Sequence, residues 1–209
     1  MYLEQDDKIL FLGGINNQDP AKEDNIGLGY TLITAAALSA RFPDLNLSFI
    51  NRAHIKDDSQ EMMVSLQDKC LIEKPSVVII FLGHQDALQA EKQHEQASLK
   101  EYSRFNRIVR QLIEEIQEQA TRRIILLEPF LLDAGNLTRA LRPDINQKIQ
   151  IIRAIAQDYS CDYIALDGLL NELAIRNGVQ AYVENDGLTY KLATHHIIAE
   201  KIINHFDNR

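Results

Sequence analysis

The run from Ser76 to Leu82, Ser-Val-Val-Ile-Ile-Phe-Leu, limits what this chain can become more than any other stretch. It is continuously apolar and β-branched, with no alternation of inward and outward residues. A strand of that kind is covered on both faces, and sheets covered on both faces are parallel sheets packed between helices. Four further runs fit the same sheet: Ile9 to Leu12, Leu47 to Ile50, Arg123 to Leu127 and Tyr163 to Leu166. Helical sequence separates them. Ile26 to Arg41 reads as a helix with apolar Leu32, Ile33, Ala36, Ala37 and Ala40, and Pro43 just past its end. Ser59 to Ile72 carries Met62, Met63, Leu66, Cys70 and Leu71 at helical spacing, as core filling. Ser98-x-x-Glu101 has the form of a capping box ahead of a stripe of Leu99, Tyr102, Phe105, Val109, Leu112, Ile113 and Ile116. Asp144 to Tyr159, Leu169 to Arg176 (stopped at Asn177-Gly178) and Leu192 to Phe206 complete the set. Five strands, each followed by helical sequence, predict a doubly wound α/β fold. Residues 129–143 read as its longest irregular connection, a surface crossover or a lid.

At 209 residues the chain is expected to form a single domain, 1–209. It carries 22 basic and 30 acidic residues, a formal charge of −8, and no basic block, which argues against nucleic acid and anionic membrane as partners. No apolar run approaches the length of a membrane span. Met1 to Lys8 is acidic and unlike a signal peptide, and Cys70 and Cys161 have no metal-ligand or CxxC spacing, so a reducing cytoplasm with two free thiols is the expected setting.

Ligands of open α/β sheets bind outside the carboxyl ends of the strands. Here those ends are Gly13-Gly14-Ile15-Asn16, Asn51-Arg52-Ala53-His54 and Gly83-His84-Gln85-Asp86, joined by Glu184-Asn185-Asp186-Gly187-Leu188-Thr189 ahead of the last helix. All are polar, and three of the four carry glycine. Yet Gly13 to Gln18 holds no Ser, Thr, Cys, Asp, Glu, Lys or His, so the first turn has no nucleophile. Gly14, Asn16, Asn17, Arg52, His54, His84 and Asp86 are the pocket candidates. Asn16, Asn17 and Arg52 suit a polar or anionic ligand, though Asn in a glycine turn also serves the backbone. Asp186 and Thr189 read most simply as caps of the closing helix or its turn, and His195-His196 as packed histidines on that helix. Asp6-Asp7 and Asp57-Asp58 read as solvated loop charge. The spacing of His54, His84 and Asp86 matches no metal motif, and neither metal nor cofactor is expected.

At these segments the chain resembles the SGNH, or GDSL, hydrolases, a family of esterases and acylhydrolases. Ile9-Leu-Phe-Leu-Gly13 resembles the strand entering the family's Gly-Asp-Ser block, Gly27-Leu-Gly-Tyr30 the start of its first helix, Phe49-Ile-Asn-Arg52 the lead into its second block and Phe81-Leu-Gly83 the third. Glu128-Pro-Phe130, Leu141-Arg-Pro-Asp144, Ile164-Ala-Leu-Asp-Gly168 and Asp186-Gly187 resemble segments of small bacterial members. The resemblance implies a flavodoxin-like three-layer α/β/α sandwich with a five-stranded parallel sheet. It also implies which positions should do chemistry, and these depart one after another. The serine nucleophile's place is Ile15, with Gly14 before it; the oxyanion glycine is Ala53; the oxyanion asparagine is Gln85; of the closing Asp and His, Asp186 remains and Thr189 takes the histidine's place.

Isoleucine has no lone pair to attack with, and threonine is no base near neutral pH. Gln85 keeps an amide, one methylene too long, and Ala53 keeps its backbone N–H. The expected protein is therefore a family member without ester hydrolysis, its pocket vestigial or used to bind an unidentified small molecule or protein. Two alternatives stand beside it. One is an esterase with rebuilt chemistry, in which His54 or His84 with Asp86 or Asp186 activates water. The other is a structural or interaction subunit, for which a homo-oligomer is one arrangement.

Overall fold

The structure, a computed structural model, describes residues 3–13, 26–54, 57–93, 98–119 and 121–207. Its elements alternate as the hydrophobic pattern requires: β1 Lys8–Gly13, α1 Tyr30–Arg41, β2 Ser48–Asn51, α2 Ser59–Val64, α3 Leu66–Lys69, β3 Val77–Phe81, α4 His84–Lys92, α5 Leu99–Glu118, β4 Arg123–Leu127, α6 Asn136–Asp158, β5 Asp162–Ile164, α7 Asp167–Asn177 and α8 Leu192–Asp207. The strands form one parallel sheet in the order β2-β1-β3-β4-β5, with Ile9 opposite Phe49 on one side of β1 and opposite Val77 on the other. The strand order reverses between β1 and β3, the topological switch point where α/β sheets open a crevice.

Strand alternation divides the core in two. Ile9, Phe11, Val77, Ile79, Phe81, Ile125 and Leu127 face α1, α7 and α8, whose Leu38, Leu170, Ile198 and Ile202 close that layer. Leu10, Leu12, Val78, Ile80, Ile124 and Leu126 face Met62, Leu66, Phe105, Val109, Leu112 and Ile152 from α2, α3, α5 and α6. Every side chain of β3 is buried, as its unbroken apolar run requires. Each such burial stabilises by about 1.5–3 kcal/mol, which makes β3 the anchor of both layers. Among the described residues, no helix is long and apolar enough to cross a membrane.

The structure corrects the sequence reading in several places. Residues 84–92 form a helix, α4, where the sequence suggested only a polar strand end; it tucks Ala87 and Ala90 inward, and Ala87 packs against Leu141, Ile145 and Ile149 of α6. Residues 129–143 are not one irregular loop, because α6 starts at Asn136 and carries Pro143 inside it. Thr138 makes that early start workable. Its hydroxyl donates to the Gly135 carbonyl and accepts from the Ala134 and Gly135 N–H groups, fixing the first turn before the proline breaks the ladder. The Ser59–Ile72 helix is interrupted at Ser65, whose hydroxyl bonds back to the Glu61 carbonyl. Helix α1 begins at Tyr30 and buries Tyr30, Thr31, Thr34, Ala35 and Leu38; Leu32, Ala36 and Ala40 lie outward. Seating the Tyr30 ring between Phe11 and Phe81 sets that rotation. Only half of the capping box forms: Ser98 accepts from the Glu101 N–H, while the Glu101 carboxylate turns to Arg104.

Candidate functional site

Three strand ends and one turn meet where the resemblance puts the chemistry. Gly13 closes β1 with φ +147°, and a Cβ there would lie 1.9 Å from the Phe81 carbonyl oxygen, so only glycine lets the chain leave the sheet beside β3. The Gly13 carbonyl accepts from the His54 N–H at 2.8 Å, tying the first segment to the second. Gly14, Ile15, Asn16 and Asn17 lie outside the described residues.

At the end of β2 the Asn51 side chain spans its neighbours. Its Nδ2 donates to the Ile26 carbonyl at 2.9 Å, and its Oδ1 accepts the Ala53 N–H at 3.0 Å. The backbone donor that would serve an oxyanion is therefore already spent, on a residue that is itself buried. Arg52 reaches sideways to Glu73 at 2.6 Å. His54 Nδ1 lies 3.5 Å from Asp57 Oδ1, and Asp57 also takes the Lys69 ammonium. Asp57 is thus a buried ion-pair partner, not the solvated charge that its sequence suggested, and Asp58 caps α2 through the Glu61 N–H. Asp7 is likewise buried, held by Arg122 at 2.5 Å.

The end of β3 is an aromatic box. His84 meets Phe81 and Phe130 edge-on at 5.5 and 5.8 Å. Its Nε2–H donates to the Phe130 carbonyl at 2.6 Å, and the Tyr190 hydroxyl lies 3.1 Å from the same nitrogen. Nδ1 is buried without a partner among the described residues. Burial pushes the His84 pKa down to about 4, against the opposing pull of the Phe130 carbonyl and Asp167, so the ring is neutral at physiological pH. Tyr190 stacks on Phe130 at 4.8 Å, and burial raises its phenol well above the ordinary range. His195 lies flat against Tyr30 at 6.3 Å, its pKa lowered by burial. Gln85 is half-buried and has no hydrogen-bond partner among the described residues. Asp86 turns away from the crevice: its Oδ1 accepts both the N–H and the hydroxyl of Ser59, joining α4 to α2. Burial pushes Asp86 up to about 6 despite those bonds and the nearby Lys148.

The final turn is closed on itself. Asp186 Oδ1 accepts the Leu188 and Thr189 N–H groups at 2.9 and 2.8 Å, and Oδ2 accepts the Thr189 hydroxyl at 2.6 Å. Burial alone would raise this carboxyl, but the bonds from Thr189 and Leu188 outweigh it and hold its pKa below the usual range. A Cβ on Gly187 would lie 2.5 Å from Thr138 Cγ2, so the turn is pressed against the start of α6. Neither His54 nor His84 bonds to Asp86 or Asp186. Among the described residues no group of three or more His, Cys, Asp or Glu is placed to hold a metal ion.

The sequence reading missed the polar structure at the other end of the sheet. Glu128, fully buried after β4, accepts the Leu166 and Asp167 N–H groups at 2.7 and 2.9 Å and pairs with Arg153. Asp167 in turn takes both arms of Arg142 at 2.7 and 2.6 Å. A cavity of about 630 Å³ opens beside this knot, lined by Leu131, Leu132, Thr138, Arg139, Arg142 and Asn171 among others. The Leu141-Arg-Pro-Asp144 and Asp167-Gly168 segments were visible as family-like sequence, but nothing in them announced that residues so far apart would meet.

A parallel sheet of this order, with its polar segments gathered at the switch point, defines the class of flavodoxin-like α/β folds. Within that fold the chain belongs to the GDSL-like lipase/acylhydrolase family, whose sequence profile it matches over residues 24–202. No curated protein matches it by sequence. Among solved structures it is similar to Axe2, an acetylxylan esterase from Geobacillus stearothermophilus, at 19% identity and a TM-score of 0.85, covering 99% of this chain and 96% of that one. It is also similar to a putative GDSL-like lipase from Parabacteroides merdae, at 19% identity and a TM-score of 0.86 with 99% and 98% covered. Other matches are catalytic mutants of Axe2 at a serine, an aspartate and a histidine.

Proposed function

We propose that this protein keeps the GDSL-hydrolase scaffold and has given up ester hydrolysis. The observation that carries the reading is the closed Asp186 turn. In a hydrolytic site of this design an aspartate orients a histidine, which takes the nucleophile's proton. Among the described residues the Asp186 carboxylate bonds only within its own turn, and its side-chain partner is Thr189, which has no basic nitrogen. Two further features agree: the Ala53 N–H is bound to Asn51, and Ile15 offers no nucleophilic atom. Losing nucleophile and base together leaves nothing to start acyl transfer, whatever the state of the oxyanion donors.

The test is turnover of a short-chain aryl ester by the purified chain, beside Asp186→Ala, Gln85→Ala and the restored variant Ile15→Ser/Gln85→Asn/Thr189→His. The expected result is a rate at buffer background for the natural chain and both alanine variants, with a measurable rise only in the restored one. Turnover by the natural chain that Asp186→Ala or Gln85→Ala abolishes would overturn the proposal and point to a rebuilt esterase.

A further inference from the structure

The cavity beside β4 and β5 is a groove between two helices. Arg139 and Arg142 of α6 stand on one bank and Asp167 and Asn171 of α7 on the other, with Leu131, Leu132 and Pro143 as apolar wall. One turn beyond Asn171, on nearly the same side of α7, stands Ile175. At 87% exposure it is the most exposed large aliphatic side chain among the described residues. Single exposed aliphatics are ordinary, and Leu99 and Leu192 each merely open a helix. Ile175 differs because it stands beside an apolar hollow that it does not fill: at that exposure almost nothing of its own chain covers it.

We propose that Ile175 and this groove are the two halves of one self-association surface, and that a second copy of this chain is the occupant. A two-fold contact uses the same patch twice, so a projecting residue and the hollow that receives it must lie side by side on each copy. Ile175 and the groove at Asn171 meet that condition. Two α7 helices set antiparallel, with the axis near Leu173 and Ala174, bring Ile175 of each copy to Asn171 of the other, at the mouth of its groove. The same operation sets Glu172 of each copy opposite Arg176 of the other. In the single chain these two residues pair within one exposed helix face, and in the dimer they form a four-charge cluster of alternating sign. Charge also selects this face. Two molecules of formal charge −8 repel one another and can touch only where each is locally neutral. Among the described residues, the groove and α7 hold Asp133, Asp167 and Glu172 against Arg139, Arg142 and Arg176, paired one to one. All three cations are arginine, which interfaces favour, and none is lysine, which they deplete. An ionic ligand finds no unmatched charge there. None of these residues occupies a catalytic position of the family, so the inference does not depend on the proposed loss of hydrolysis.

Sedimentation equilibrium of the full chain between about 1 and 300 μM tests it. The patch is one short helix and one groove per copy, smaller than a permanent interface, so the expected result is a dimer with a Kd of about 10–100 μM. Ile175→Gln should raise that Kd about a hundredfold, because the two-fold counts each lost apolar contact twice. Glu172→Arg and Arg176→Glu should each raise it about tenfold by setting like charges opposite one another. The double exchange Glu172→Arg/Arg176→Glu should return it to within about threefold of the parent, a rescue that tests the antiparallel pairing itself. Glu172, Ile175 and Arg176 are all exposed, so each variant should keep the parent's thermal midpoint, and the exposed Lys201→Ala on α8 should leave dimerisation unchanged. A chain that stays monomeric up to about 300 μM would overturn the proposal and leave the groove to a different occupant. So would a dimer indifferent to Ile175→Gln, or single charge variants that leave the Kd unmoved, or a double exchange that fails to restore it.

Discussion

The two ends of the sheet's carboxyl edge handle polar groups in opposite ways. At the β1, β2 and β3 end the bonds of two family positions are short in sequence, Asn51 to Ala53 and Asp186 to Leu188 and Thr189, beside longer ones such as Asn51 to Ile26 and Ser59 to Asp86. At the β4 and β5 end they are long: Glu128 to Leu166 and Asp167, Arg142 to Asp167. Local bonds satisfy a turn and leave the rest of the fold untouched. Long bonds hold separate elements together. A hydrolytic site needs donors that are fixed yet left unsatisfied until the transition state arrives. The first region has bonded the Ala53, Leu188 and Thr189 N–H donors within its own turns, the feature on which the proposed loss of hydrolysis rests. The second has spent its polar groups on stability, and its remaining exposed groups flank an open groove.

The contrast is most directly broken by Glu128→Ala. That change leaves two buried N–H groups without an acceptor and removes the partner of Arg153. A loss of about 3–5 kcal/mol in unfolding free energy is expected, since a buried, multiply bonded carboxylate is costly to delete. Urea unfolding at pH 7 measures it. A loss below about 1 kcal/mol would mean that the β4 and β5 end is not the clamp its bonds suggest.

A second effect comes from His84 and Asp86, two residues apart on α4 with opposite shifts. His84 falls from 6.5 to about 4, so the unfolded chain binds the extra proton between those values and this group's contribution to stability is lost as pH falls through that window. Asp86 rises from 3.8 to about 6, so the folded chain holds the extra proton and stability is lost as pH rises through its window. The two slopes largely cancel between pH 4 and 6 in the natural chain. Each is on the order of 3 kcal/mol when fully developed. Asp86→Asn should uncover the histidine slope, giving a protein that weakens on acidification. His84→Gln, which keeps a donor for the Phe130 carbonyl, should uncover the reverse. Urea midpoints from pH 4 to 7 read both, and parallel profiles for the parent and the two variants would contradict the assignment.

What the sequence made legible follows from range. The run Val77 to Phe81 announced a strand covered on both faces, and the other runs announced the parallel sheet. The resemblance to the family implied substituted positions at Ala53, Gln85 and Thr189. The α4 helix was hidden because Gly83-His84-Gln85-Asp86 is polar, and its buried face includes a histidine and an aspartate in place of aliphatic residues. Lys148 was hidden for a similar reason. It is fully buried on Asp144 at 2.6 Å and lies over the Tyr102 and Phe105 rings, a setting no local pattern encodes. The Arg142–Asp167 pair spans a strand and most of a helix, so only the folded chain reveals it. Conversely, the Asn51 bond to Ala53 is local in sequence, yet invisible without the backbone angle that turns the amide back.

The smallest effect sharpens the comparison from the other side. Asp186 and Thr189 are both exposed, and their bonds close one turn that Gly187 already presses against α6. Removing the carboxylate with Asp186→Ala frees two N–H groups that water can reach at once, so the desolvation penalty that makes Glu128 costly is absent. The expected loss is about 0.5–1 kcal/mol at pH 7. It should fade at low pH, because a carboxyl whose folded pKa is depressed contributes only above its unfolded value and loses that contribution as pH falls through the folded one. Urea midpoints of parent and variant at pH 7 and pH 3 measure it. A loss as large as that of Glu128→Ala would mean that the Asp186 turn is itself a clamp, and that threonine holds the histidine's place for stability.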